Sequence, residues 1–272
     1  MKIRLYLLTT YLFISSCLLG WQFWAFTATF YPANEQAIAE NFPIYMSDFL
    51  LYFLPLWTIT FLTGLVIYTG NKNQLPIDHL SYRKHFFLIG SYYIFLLLNF
   101  SLYKLNFHFY VYELLGIIIV LGSIYLAGFI FLNSDHPEFH HPTTNGGIVV
   151  TSALAGLSCF ILFSDLADKV QFQTTWLLIL LLFDMLIVFA RFRFLSAFNQ
   201  ITNQAAKQLL GKYIFIFGAR IILGIFTPLV FLLYTMISDF NAFRGIAVLI
   251  LLGGLINFFL IVVNVRYEEV IT

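Results

Sequence analysis

Apolar segments of about 20 residues, the length a helix needs to cross a bilayer, recur along the whole chain and leave no room for a soluble domain between them. Eight can be marked, at residues 5–26, 49–68, 86–105, 110–132, 147–163, 175–190, 213–237 and 246–265. The third and sixth are the weakest of the eight. Residues 1–272 are therefore expected to form one transmembrane domain, an all-α polytopic integral membrane helix bundle of about eight transmembrane helices.

Composition agrees. Charged residues make up 10% of the chain, against about a quarter in a soluble domain. The mean hydropathy is +0.88. A net charge of +1 gives no basic face for a nucleic-acid partner, so the bilayer is the expected partner. The 33 Phe and 16 Tyr residues suit lipid-facing and interfacial positions. Cys17 and Cys159 both fall within apolar segments; two such thiols make no disulfide framework and have no metal-ligand spacing, and they read as packing residues. The first apolar run ends in Trp21, Phe23 and Trp24 rather than at a small-x-small cleavage site, so it is expected to stay as the first span.

Lysine and arginine in short loops set orientation. With the N-terminus inside, ten fall in inside loops (Lys2, Arg4, Lys72, Arg83, Lys84, Arg191, Arg193, Lys207, Lys212 and Arg266) and three outside (Lys104, Lys169 and Arg244). This predicts an even number of spans and both termini cytoplasmic, in a membrane such as the bacterial inner membrane. The polar stretch 196–211 predicts a short amphipathic helix in the interface.

Against this background a few polar residues stand out. Arg220 lies in the middle of the seventh segment and Asp184 in the sixth. Their positions put them at about the same depth in a hydrocarbon core of about 30 Å, so a bridge between adjacent antiparallel helices is expected. Such a pair either fixes helix packing or lines a quinone, proton or substrate path. Glu113, near the outer end of the fourth segment, follows His108 by five residues; a carboxylate and an imidazole at the interface can take protons from a quinol, or can simply snorkel and cap. Asp135, His136, Glu138, His140 and His141 form the one histidine-rich segment. It offers metal-ligand types but no second box, so a solvated loop or docking surface is expected and no metal. His85 and His108 sit at span ends on opposite sides, which gives no pair for haem. No nucleophile–base constellation and no phosphate-binding glycine loop is present. Pro55 and Pro228 mark places where a span can break and free a carbonyl to line a cavity.

Residues 6–20 (YLLTTYLFISSCLLG), Leu105-Asn106 ahead of Glu113, residues 145–156 (NGGIVVTSALAG) and the stretch from Arg220 to Pro228 together resemble the membrane anchor subunit of dimethyl sulfoxide reductase and related molybdo-oxidoreductases. The family's His-Leu-Gly-x-Pro motif has here only Asp78-His79-Leu80-Ser81, and Gly253–Asn257 lacks the charges of the family's last span. The resemblance implies a subunit that binds quinol, with Glu113 and His108 taking the protons and Arg220 and Asp184 shaping the pocket. It implies that electrons pass to an iron–sulfur partner and its catalytic subunit, which dock on residues 33–48 or on the histidine-rich loop. Two other classes stay open: a transporter or permease with a path lined by Asp184 and Arg220, and a structural or assembly subunit of a membrane complex.

Overall fold

The computed structural model describes residues 2–29, 53–70, 77–104, 110–132, 141–163, 170–197, 203, 206–207, 209–238 and 242–264. Helix is the dominant element and no strand occurs among these residues. The helices are α1 (Lys2–Thr29), α2 (Phe53–Thr69), α3 (His79–Lys104), α4 (Tyr110–Leu132), α5 (Pro142–Phe163), α6 (Val170–Ala197), α7 (Ile214–Ile237) and α8 (Phe243–Asn264). Six of them, all but α2 and α3, are long and apolar enough to cross a membrane.

The bundle is organised on α1 and α5. Ser16 and Gly20 on α1 face Ser152 and Gly156 on α5, each pair spaced by four so that both members fall on one face. A Cβ on Gly20 would meet Gly156 Cα at 2.8 Å, and the Ser152 hydroxyl donates to Ser16 Oγ at 2.9 Å. Small residues let two backbones approach closely where lipid supplies no hydrophobic drive between helices. Trp24 Nε1 closes the same interface on Ala153 O at 2.8 Å. Helices α4 and α8 each pack against both α1 and α5, α6 packs against α5, and beyond them α3 packs on α4 and α7 on α8 and α6.

The helix ends identify two faces of the bundle. Gly70, after α2, lies against the Arg4 guanidinium. Asp78, which caps α3 by accepting from the N–H groups of Leu80 and Ser81, donates its own N–H to Ile130 O near the end of α4. His141, before α5, stacks on Phe194 near the end of α6. Tyr6 stacks on Phe259 of α8. These groups share one end of the bundle. At the other end Trp24 meets Trp176, and Phe53 meets Phe163.

The outward surface is apolar, with Ile94, Leu98, Leu186, Phe189 and Val230 among its exposed side chains. Of the expected interfacial helix at 196–211, α6 itself runs on to Ala197, and Ala206 and Leu209 are buried against Leu195 and Leu260 while Lys207 and Leu210 are exposed.

Candidate functional site

The expected pair forms. The Arg220 Nη2–H donates to Asp184 Oδ2, joining α7 to α6, and the two residues are 2% and 1% exposed. Local sequence makes room for the guanidinium. Pro228 has no N–H and its ring opposes the carbonyl four residues earlier. Rather than breaking there, α7 widens into a π-turn over Ile222–Phe226, in which the Thr227 N–H reaches back to Ile222 O. The π-turn carries Gly224 against Gly253 of α8: a Cβ on Gly224 would meet Gly253 Cα at 2.8 Å, and one on Gly253 would meet Arg220 Nη1 at 3.1 Å. The guanidinium thus lies in a notch that only two facing glycines leave open. A π-turn of this kind often marks a functional site.

Beside the pair is a cavity of about 40 Å³, lined by Arg220, Arg191, Asn257 and the apolar side chains of Val188, Phe192, Leu195, Leu209, Phe217 and Leu260. That volume takes one or two waters or a small head group. Asn257 is held in place by donating its Nδ2 to Thr151 Oγ1 of α5 at 2.8 Å. Arg220 Nε and Asp184 Oδ1 are buried without a hydrogen-bond partner among the described residues. A buried polar atom is costly unless satisfied, and a charged pair especially so, so among the described residues this is a place where a polar ligand has much to gain. The cavity lies toward the Arg4 end, as Phe192, Leu195 and Leu260 sit beside the His141–Phe194 contact and the end of α8.

The other expected site residues fall elsewhere. Glu113 is in the first turn of α4. That turn is at the Trp24 end of the bundle, and α5 stands between α4 and α6. His108, the segment 33–48, and all of the histidine-rich loop before His141 lie outside the described residues. His141 itself serves α5: its Nδ1 accepts from Thr143 N at 3.2 Å and lies 2.7 Å from Thr143 Oγ1. Desolvation lowers its pKa below the ordinary imidazole value. Among the described residues no three His, Cys, Asp or Glu side chains converge as a metal site.

Two groupings escape a reading of the sequence. His85 reads as a span-end residue, yet it is fully buried, with Nδ1 3.0 Å from the Tyr11 hydroxyl of α1. Tyr82 beside it donates to Gly64 O at 2.9 Å. The signal was the stripe Tyr82, His85, Ile89, Tyr92, which follows helical spacing along one face of α3. Cys17 and Cys159 also meet, as free thiols within hydrogen-bonding reach of one another across the α1–α5 interface.

Compared with protein-family models, with curated proteins and with solved structures, the chain matches none.

Proposed function

We propose that the chain is a multi-pass membrane protein of eight spans whose Asp184–Arg220 pair is the binding centre of a ligand path, transport being its function class. The observation that carries this reading is the cavity: Arg220, held by Asp184 in a buried ion pair, sits in its wall with its Nε partnerless among the described residues and with Asn257 and Arg191 beside it. A pair that only tied two helices together would need neither the cavity nor the glycine notch. Eight spans are supported by the outward faces of the two helices left out of the six. On α2, Ile59, Leu62 and Val66 are exposed, and on α3, Phe87, Ile94 and Leu98. These are apolar stripes suited to lipid, and the 26 residues of α3 extend about 39 Å. The quinol-anchor reading would join Glu113 and His108 to the Asp184–Arg220 pair in one pocket; the first turn of α4 lies at the Trp24 end of the bundle and the cavity toward the Arg4 end, which favours transport over it.

The test is access. With Cys17 and Cys159 replaced by serine, the Asn257→Cys variant in proteoliposomes is expected to react with a membrane-impermeant thiosulfonate from the Arg4 side. If the introduced thiol stays inert until the protein is unfolded, the cavity is sealed and the pair is purely structural.

A further inference from the structure

We infer that the Arg220 cavity binds the carboxylate head of a small apolar monocarboxylate, and that one proton enters with each ligand and resides on Asp184. This rests on the ligand-path reading and specifies its substrate class.

The argument is one of charge and donors. Arg220 and Asp184 together are neutral, and a net charge at that depth is strongly disfavoured. From α5, α7 and α8, which surround the pair, no other acid or base faces it: α5 carries only the Cys159 thiol, α7 only Tyr234 toward the Trp24 end, and α8 only Arg244 at its far start. On α6, Arg191 lines the cavity, and Arg193 lies further along. Lys207, close in sequence to the lining residue Leu209, is exposed. An anion entering alone would leave the Asp184–Arg220 centre at −1. A guanidinium keeps its charge in proteins, and Arg191 lies seven residues along α6 from Asp184, toward the Arg4 end of the cavity, so at the pair itself neutrality is restored by protonating Asp184.

The geometry supplies the coupling. A guanidinium binds a carboxylate best through two parallel N–H groups. Arg220 has Nε without a partner and Nη2 engaged by Asp184. A ligand carboxylate taking Nε and Nη2 displaces Asp184 from its counter-ion, and the carboxyl then retains a proton, since among the described residues it has no hydrogen-bond partner other than Arg220. Apart from the O–H bond that the incoming proton forms on the Asp184 carboxyl and that breaks again on release, no covalent bond changes: one carboxylate and one proton enter, and both leave. The cavity is the size of such a head, and Val188, Phe217 and Leu260 make its wall beside Arg220 apolar, as suits the first carbons next to the head.

The experiment is calorimetric titration of hexanoate into the full chain in nanodiscs, in two buffers of different ionisation enthalpy. The expected result is uptake of one proton per hexanoate bound. Asp184→Asn should bind hexanoate at least as well with no proton uptake, while Arg220→Met should not bind. Should Arg220→Met fail to fold, Val188→Phe, which fills the cavity from its wall and leaves the pair intact, is expected to lower affinity at least tenfold. Binding without proton uptake, or uptake unchanged in Asp184→Asn, overturns the proposal. So does binding of a neutral quinone analogue in place of hexanoate. If the thiol of Asn257→Cys is accessible but hexanoate does not bind, the path stands and the monocarboxylate falls. If that thiol is inert, both fall.

Discussion

At the scale of single residues the Asp184–Arg220 pair has opposing consequences for stability. Each charge is costly at its depth, and each is tolerated through the other. Arg220→Ala leaves a buried carboxylate alone and is expected to cost about 3–5 kcal/mol, read from the unfolding midpoint in mixed micelles. Adding Asp184→Ala should recover most of that loss, since a pair replaced by apolar side chains is often neutral. A double variant as unstable as the single one would show that the pair is not the source of the effect. His141 gives a second, independent test. Burial lowers its pKa in the folded state, so the folded chain binds fewer protons there than the unfolded one. Its contribution is fully present above the unfolded value of about 6.5 and is lost as pH falls from there through the folded value. Melting of the wild type is expected to drop between pH 7 and pH 5 by more than that of His141→Gln. Equal slopes would show that His141 does not titrate in that window. The pair itself was legible in the sequence because two charges in apolar runs have few places to go and their depths could be counted. Tyr11–His85 was not, because the partners lie on different helices and only the rotation of each helix brings them together.

At the scale of elements the number and extent of the apolar segments were legible, and their faces were not. Most of these helices are apolar all round, so hydrophobic periodicity gives no inward stripe. What selects the α1–α5 interface is small size: Ser16 and Gly20 against Ser152 and Gly156. Two glycines in helices of similar composition therefore behave oppositely. Gly156→Leu has no space for a side chain between the two backbones and is expected to cost about 1–3 kcal/mol or more, with loss of the Ser152–Ser16 hydrogen bond. Gly218 on α7 meets nothing within 4 Å of an added Cβ, and Gly218→Ala should gain about 0.5–1 kcal/mol from helix propensity. The pair of melting curves checks both; a destabilised Gly218→Ala would mean that α7 needs freedom at that position. The π-turn belongs to this scale too. Pro228 read as a possible break, and the helix instead absorbs it by one wider turn, a choice that depends on Gly224 having Gly253 opposite.

At the scale of the molecule the ends of the chain decide how the bundle sits. Tyr6 near the start of α1 stacks on Phe259 near the end of α8 at 6.2 Å between ring centroids, so the first and last helices begin and finish at the same end. Successive helices alternate in direction, and an even number of crossings is what returns the chain to its starting side. The end they share is also where Arg4, Arg83, Lys84, Arg191 and Lys207 gather, and basic residues in short loops favour the cytoplasmic side. The expected orientation therefore has both termini and the mouth of the Arg220 cavity facing the cytoplasm. Fusing a fluorescent protein that matures only in the cytoplasm to either terminus of the full chain should give bright cells in both cases. One bright and one dark fusion would require an odd number of crossings and would contradict the Tyr6–Phe259 contact. Two dark fusions would keep the bundle but invert it, placing the cavity mouth outside. A protonated Asp184 would then exchange its proton with the opposite compartment in this conformation, while the direction of net movement would still be set by the proton and ligand gradients.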